Sequence, residues 1–337
     1  MIFKLALMPP RVHSVPSERP RGTEMKTFIR VVESWVPSSD RSLLEFGGGI
    51  YGQAARFGAA SRSMCFARGQ GLPGQAWEQG RPIVLTRIEG SYFQRTRFAQ
   101  AEGLTCGIAM PIFAGEFLTS VLVMFCGDDD AHAGAIELWR HDPTEAPEMS
   151  LADGYYGHTA EAFEYISRRT SFRKGSGLPG QAWGSGLPVF MEDLGKGPRF
   201  LRAETATRVG INRGLAMPCH VPGEQSDVMA FLSALGTPIV RRFERWEPDA
   251  TRQHLLRTGG FCESDGPLPP KPFETLPERG QGALGRAFLT GVPAFSDKAA
   301  SEPGSIGTSA AAAGLSSVVA VPIVRNGKLA AAVAWYF

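Results

Sequence analysis

The segment that decides the fold is Gly69-Gln-Gly-Leu-Pro-Gly-Gln-Ala-Trp77, which returns with one change as Gly175-Ser-Gly-Leu-Pro-Gly-Gln-Ala-Trp183. A third, more divergent copy is Gly280-Gln-Gly-Ala-Leu-Gly-Arg-Ala-Phe288. The spacing of about 105 residues is the size of one ordinary domain, and it is longer than the period of a solenoid repeat. The 337 residues are therefore predicted to form three units that each fold around a core of their own.

The boundaries of these units follow from the repeat and from composition. Residues 1–23 are rich in proline and arginine and are predicted to be a disordered arm. The three domains are predicted at 24–134, 135–241 and 242–337. The short connections between them leave no room for an additional domain.

Each unit is predicted to open with a strand that carries the pattern Glu-x-Trp, beginning at Glu33, Glu137 and Glu244. The apolar periodicity that follows gives the order β-β-α-β-(short α)-β-α-β-β. Because the strands come in consecutive pairs, the fold class is predicted to be α/β of the α+β type. Each unit would have a mainly antiparallel sheet with helices on one face. A proline in the fifth strand, such as Pro111, indicates an edge position or a bulge.

Composition excludes several classes of protein. A net charge of +2 argues against a broad nucleic-acid-binding surface. No apolar run reaches 18 residues, so no membrane span is predicted. The five cysteines form no Cys-x-x-Cys pair, which favours a reducing, cytoplasmic location. The histidines form no pair with metal-ligand spacing, and no metal site is predicted.

The repeated glycines have the spacing of a phosphate-binding loop, but their surroundings favour a structural turn. The helix that follows lasts under two turns, no acidic residue stands about 20 positions on, and no lysine follows the glycines. Glycine at a strand-to-helix turn also allows positive φ. The residues assigned to this structural role are Gly71, Gly74, Gly177, Gly180, Gly282 and Gly285.

With its flanking motifs, the glycine segment resembles the GAF family of small-molecule sensory domains, which have a profilin-like fold. In the first unit the resemblance rests on Gly71–Trp77, Gly80-Arg-Pro82, the helix end Ala99-Gln-Ala-Glu-Gly103-Leu104, and Pro111. The other units repeat these elements, the third least completely. The resemblance implies a ligand between the sheet and the helices of each domain's second half, and it leaves the chemical class of that ligand open.

The candidate ligand-binding residues belong to the first two units. Phe93-Gln-Arg95 and Phe200-Leu-Arg202 occupy matched positions, and two interpretations stay open. Each arginine contacts an anionic ligand, or each phenylalanine is buried beneath a helix with its arginine exposed. The third unit has Gly304 to Ile306 there and is predicted to be degenerate. The candidates are Trp77, Phe93, Arg95, Cys106, Met110, Trp183, Phe200, Arg202, Met217 and Cys219.

The predicted function is that of a sensory, regulatory protein that binds an unknown small molecule and signals through a separate partner or another copy of the chain. One alternative is a non-enzymatic scaffold whose pockets are filled by its own side chains. Another is a thiol-dependent enzyme similar to the methionine sulfoxide reductases of the family, using Cys106 and Cys126. No catalytic residue and no cofactor is predicted. Bilin and haem are not expected, since Cys219 follows the proline of the fifth strand, Pro218, whereas the cysteine of bilin-binding relatives lies upstream, on or near a helix.

Overall fold

A computed structural model describes residues 27–127, 134–157, 161–196, 200–234, 236–270 and 277–337. The predicted arm at 1–23 lies outside the described residues. No helix within these ranges is both long and apolar enough to cross a membrane.

Domain 1 has six strands and three helices in the predicted order. They are β1 (Ile29–Pro37), β2 (Leu43–Ile50), α1 (Ala55–Arg62), β3 (Cys65–Ala67), α2 (Gly71–Gln79), β4 (Ile83–Leu85), α3 (Thr96–Ala101), β5 (Cys106–Ala114) and β6 (Phe117–Cys126).

Domain 2 repeats this order. Its elements are β7 (Gly134–His141), β8 (Met149–Tyr155), α4 (Glu161–Ser167), β9 (Ser171–Phe172), α5 (Gly177–Ser185), β10 (Val189–Met191), α6 (Ala203–Arg208), β11 (Ile211–Cys219) and β12 (Ser226–Ala234).

Domain 3 lacks the first helix among its described residues. Its elements are β13 (Arg242–Pro248), β14 (Leu255–Cys262), β15 (Gly266–Pro267), α7 (Gly282–Thr290), β16 (Ala294–Ser296), a 3₁₀ turn at Ala299–Ser301, α8 (Gly304–Ala312), β17 (Val318–Arg325) and β18 (Lys328–Tyr336).

Each domain contains one six-stranded antiparallel sheet, and the strand order in domain 1 is β3-β2-β1-β6-β5-β4. The strand that carries Glu-x-Trp is central in every sheet, between the second and the last strand of its own domain. Pro111 on β5 lies beyond the last residue that pairs with β4, so it needs no partner on that side. The predicted fold class, an antiparallel sheet with helices on one face, is confirmed.

The opposite face of each sheet is also buried, which the sequence analysis did not anticipate. Side chains alternate along β5, where Cys106, Ile108 and Met110 point away from the helices. They join the equivalent residues of β11 and β17 in one core shared by all three domains, with Met217 and Val321 beside Met110. The expectation that each unit folds around its own core is therefore incomplete, because a fourth core lies between them.

The three domains close into a ring through head-to-tail contacts. The edge strand β4 lies against β7 and β8, and Tyr155 shares a hydrogen bond of 3.1 Å with Thr105. On β10, Phe190 stacks on Phe243 and Phe261 of domain 3, each at 5.4 Å between ring centroids. Strand β16 then contacts β2 of domain 1 and completes the circle. In an oligomer, head-to-tail contacts of one kind close into a ring when the rotation between neighbouring subunits allows it. Here the three domains of a single chain make the three contacts.

The contact that closes the ring is open to a direct test at Gly48. Its φ is +146°, and a Cβ at this position would lie 2.7 Å from the Phe295 ring of domain 3. We expect Gly48→Ala to lower the free energy of unfolding by about 1–3 kcal/mol, through backbone strain and the crowding of Phe295. The matched control is Gly259→Ala at the equivalent position of domain 3, where no atom lies within 4 Å. Urea unfolding of both variants measures the difference, and equal losses would contradict the prediction.

Candidate functional site

The helix side of domain 1, where a ligand was expected, contains a buried carboxylate at its centre. Glu33 is fully buried, and its two oxygens accept hydrogen bonds from Arg95 at 2.6 and 3.0 Å. The Trp35 indole donates to the same carboxylate at 3.1 Å, and the Tyr51 hydroxyl donates at 3.0 Å. Arg95 also donates to the hydroxyl of Ser61, which in turn donates to the backbone of α1. The carboxylate thus has its full set of partners within the domain.

Aromatic rings fill the rest of this space. The Arg95 guanidinium lies 4.4 Å from the ring centroid of Phe57 and 5.4 Å from that of Phe93. Phe57 and Phe93 stack on each other, and both meet Phe125 of β6 edge to face. A cation enclosed by aromatic faces and bonded to a carboxylate needs no further anion.

Domain 2 repeats this centre residue by residue. Glu137 is fully buried and accepts hydrogen bonds from Arg202 at 2.5 and 2.8 Å. Trp139 donates to it at 3.0 Å and Tyr156 at 3.1 Å. Ser167 takes the place of Ser61 as the acceptor of an additional Arg202 hydrogen bond.

Domain 3 retains the buried carboxylate but replaces its partners. Glu244 accepts from Trp246 at 3.1 Å as before, while its hydroxyl donor is Tyr336 on β18, at 3.0 Å. Its cations are Arg257 on β14, at 3.2 Å, and Arg242 on β13, at 3.8 Å, since Ile306 stands where the other domains have their arginine. A buried carboxylate is unstable without a cation, so arginines from two strands offset the loss of the one before the helix.

The geometry determines the ionisation of these groups. Burial alone would raise the pKa of Glu137, but the positive charge and hydrogen bonds of Arg202 lower it below its ordinary value of 4.5. Burial and the Glu33 charge raise the pKa of Tyr51, and the same causes act on Tyr156 beside Glu137. The carboxylate is therefore ionised and each tyrosine is a neutral donor at pH 7.

This arrangement predicts a loss of stability in acid. Because the folded-state pKa of Glu137 is lowered, its contribution is complete above about pH 4.5 and decreases as the pH falls through the folded value. We expect the urea midpoint to decrease below that pH by more in the wild type than in the double variant Glu137→Gln/Arg202→Met, which has no charge there. Urea titrations at several pH values between 7 and 3 compare the two proteins, and parallel curves would refute the assignment.

The structure corrects the expected placement of several candidate residues. Arg95 and Arg202 are 2% and 3% exposed and each pairs with a carboxylate, so neither is the exposed arginine of one interpretation. Nor is either free for an incoming anion. Phe93 and Phe200 are buried beside them, so the interpretation that expected an exposed arginine was right about the phenylalanines.

Four other candidates lie on the wrong face of the sheet for a ligand held by the helices. Cys106, Met110, Met217 and Cys219 all point into the shared core between the domains. The reason is the two-residue period of a strand: the residues of β5 and β11 that face the helices are their neighbours, such as Ala109 and Ala216. The sequence motif Ala-Met-Pro therefore places alanine on the helix side and methionine on the other.

Trp77 and Trp183, the aromatic ends of the glycine segments, are half-buried at the rims of two clefts. Trp77 lines a cleft of about 350 Å³ beside Arg68 and Arg81. Trp183 lines one of about 390 Å³ that reaches from domain 2 to the β5–β6 and β17–β18 turns of the other domains. The structure brings these two residues to interdomain surfaces, while part of each side chain packs against the helix-side core that contains Phe93 or Phe200.

The glycines of the repeated segment form the turn that the sequence predicts. Gly71, Gly177 and Gly282 have φ of 59°, 63° and 60°. A Cβ on Gly74 would lie 2.2 Å from the carbonyl oxygen of Ala67, and Gly180 is equally close to Arg173. Side chains at these positions would strain the backbone or collide with the preceding strand.

Four of the five thiols are buried, and that of Cys65 is exposed. Cys106 and Cys126 are paired across β5 and β6, and both are free and fully buried. Burial, with the adjacent Cys106 thiol, raises the pKa of Cys126, and burial raises that of Cys219. No group of three potential metal ligands occurs among the described residues.

The central role of Glu33 and its equivalents was missed, because the Glu-x-Trp pattern was used only to mark a strand. A signal was present in the segment Val31-Val-Glu-Ser-Trp35, since an acidic residue within an apolar strand needs a buried cation. The matched Phe-x-Arg motifs of the first two units supply that cation.

No family model matches this sequence, and no curated protein matches it. Among solved structures, the GAF domain of A. aeolicus NLH2 matches with 20% identity and a TM-score of 0.25, over 30% of this chain and 60% of its own. A free methionine-R-sulfoxide reductase of Neisseria meningitidis matches with 18% identity and a TM-score of 0.23, over 31% of this chain and 53% of its own.

A Staphylococcus aureus NreA protein mutated in its nitrate-binding site matches with 15% identity and a TM-score of 0.26, over 33% of this chain and 80% of its own. The chain thus spans little more than half the length of the first two proteins. Each match covers about one domain's share of this chain, and the proposals below rest on its own residues.

Proposed function

We propose that this chain is a non-catalytic regulatory protein in which three GAF-like domains form a single body that binds other molecules at its surfaces and between its domains. The observation that carries the proposal is the filled interior of every domain. Where a GAF domain is expected to hold its ligand, each domain has a buried glutamate with its own arginine, tryptophan and tyrosine partners. This agrees with the scaffold alternative of the sequence analysis.

The filled interiors also indicate where regulation by small molecules would have to act. A ligand that entered domain 1 would have to displace Arg95 from Glu33 and leave a buried carboxylate without its cation. The cost of an unpaired buried charge, about 3–5 kcal/mol, would be subtracted from its binding free energy. Any signalling ligand or partner is therefore expected outside the domain interiors.

A thermal-shift screen against a panel of metabolites tests this proposal. It compares the wild type, the interior variant Glu33→Gln/Arg95→Met and the surface control Arg208→Met, whose arginine is exposed. A ligand that binds only the folded state raises the melting temperature in proportion to its occupancy. We expect no stabilising compound to lose its effect in the interior variant alone. A compound that did so would show that the interior is a ligand site and overturn the proposal.

The enzyme alternative has a separate test. The two cysteines that a thiol reductase would need, Cys106 and Cys126, are buried in the shared core, which favours a structural role. We expect no turnover of free methionine sulfoxide in the presence of a thiol reductant. Turnover that disappears in Cys106→Ser would establish the enzyme instead.

A further inference from the structure

The cleft of about 390 Å³ beside Trp183 is built by all three domains. Its walls come from the end of α5, the β11–β12 connection, the β5–β6 turn and the β17–β18 turn. A volume of this size lies within the range of small-molecule sites, and sites of this kind occur preferentially at domain interfaces.

Two cations in the cleft have no carboxylate partner. The side chains of Lys174 and Arg325 form no salt bridge with any of the residues that the structure describes, and the Lys174 ammonium lies 5.6 Å from the Trp183 ring centroid. Arg325 lies directly over Gly186, where a Cβ would stand 3.0 Å from its Nη1 atom. The glycine thus allows the guanidinium to approach the wall of the cleft.

Asp227 lies on the wall of the cleft, but its carboxylate is taken up by arginines outside it. The side chain is 1% exposed, its Oδ1 accepts a hydrogen bond from Arg140 at 2.7 Å, and its Oδ2 lies 3.9 Å from Arg81. Neither arginine lines the cleft, and Oδ2 is sealed from solvent. An acceptor for a ligand must therefore come from another residue of the cleft.

His220 supplies a hydrogen-bond acceptor. Its Nε2 lies 3.3 Å from the carbonyl oxygen of Gly186, which can only accept, so Nε2 carries a proton. Burial lowers the pKa of His220, the hydrogen bond to Gly186 opposes this, and the nearby Arg325 lowers the pKa further, so that it lies below its ordinary value of 6.5. The ring is therefore neutral at pH 7. Its Nδ1 is consequently a lone-pair acceptor.

We propose that this cleft binds a small organic acid that also carries a hydroxyl or amino group, with the acid on Arg325 and Lys174 and the donor on His220. The exposed carboxylates Glu116 and Glu224 line the same cleft and would repel a polyanion. The site therefore favours a small acid over a nucleic acid or an extended acidic peptide.

Isothermal titration calorimetry of the full chain with malate, aspartate and succinate tests the proposal. These probes share a four-carbon dicarboxylate skeleton and carry a hydroxyl group, an amino group and neither, respectively. We expect malate or aspartate to bind with a Kd of about 1 mM or lower, and succinate to bind at least about fivefold more weakly because it lacks the donor. The absence of binding by both malate and aspartate at about 10 mM would overturn the proposal.

Two matched variants locate the site. We expect Arg325→Ala to weaken binding of the better probe about tenfold, through loss of a charge-assisted hydrogen bond. Lys328→Ala, on the same hairpin but outside the cleft, is expected to leave the Kd unchanged. Both side chains are exposed, so both variants should fold. Equal effects of the two would show that binding is only a response to surface charge, and would leave the filled domain interiors and the proposed function untouched.

Discussion

Replacing Arg95 with methionine is expected to lower the free energy of unfolding by about 3–5 kcal/mol, because it leaves the fully buried Glu33 carboxyl group without its cation. Arg202→Met should have a similar effect through Glu137, since the two centres share their geometry. Chemical denaturation measures both losses. The exposed Arg208→Met is the matched control, and surface substitutions of this kind change stability by no more than about 0.5 kcal/mol.

The double variant Glu33→Gln/Arg95→Met separates the cost of an unpaired charge from the cost of lost packing. A glutamine still accepts the hydrogen bonds of Trp35 and Tyr51 and carries no charge, so most of the stability should return. If the double variant were as unstable as Arg95→Met alone, packing around the guanidinium would be the main contribution.

Domain 3 suggests a variant that restores a cation to Glu33 from a different strand. Phe46 in domain 1 and Arg257 in domain 3 hold the same register beside the tryptophan of their motif, and Ile306 stands where domain 1 has Arg95. The variant Phe46→Arg/Arg95→Ile therefore gives domain 1 a counterpart of Arg257 in place of Arg95, without the Arg242 and Tyr336 of domain 3. We expect it to be more stable than Arg95→Ile. A further loss of stability on adding Phe46→Arg would contradict the equivalence of the two arrangements.

Truncating Phe231 is expected to destabilise all three domains together. Its ring is fully buried in the shared core and meets Trp335 of domain 3 edge to face, with centroids 6.2 Å apart. Phe231→Ala should lower the free energy of unfolding by about 3–5 kcal/mol, through lost burial and the cavity that it leaves. Hydrogen exchange should then accelerate in β5, β6, β17 and β18 as well as in domain 2.

The control for this prediction is Phe172→Ala. Phe172 is equally buried but lies in the helix-side core of domain 2, against Trp139. Its loss should have a similar cost, while the faster exchange should be confined mainly to domain 2. If Phe231→Ala had the same restricted effect, the three domains would unfold independently, and the shared core would contribute little to their association.

Much of each domain could be predicted from local patterns. The element order followed from periodicity, and the helix stops at Gly80 and Gly186 followed from glycine, which adopts the left-handed conformation there. The candidate site was less accessible. Arg95 and Glu33 each recur at a matched position in the second unit. They lie 62 residues apart in the chain, however, and meet only in the folded domain.

The face on which a strand residue lies was the main source of error. Met110 and Cys106 were assigned to a ligand pocket because of their position in a motif, although the pleat points them to the other side. The apolar run at 121–126 in β6 gives no indication of face, because both of its sides are buried.

By itself, the sequence determined the three units, their strands and helices, and the turn at each repeated glycine segment, because these depend on short-range periodicity and backbone conformation. Only the tertiary structure decided which arginine pairs with each buried glutamate, that the backs of the sheets form one common core, and that clefts lie between the domains. Those features depend on contacts between residues far apart in the chain. A buried charge needs an opposite charge, and an apolar face needs a second apolar face to cover it. A single sequence shows which charged and polar residues need a partner if they are buried. The folded chain determines which residues become those partners.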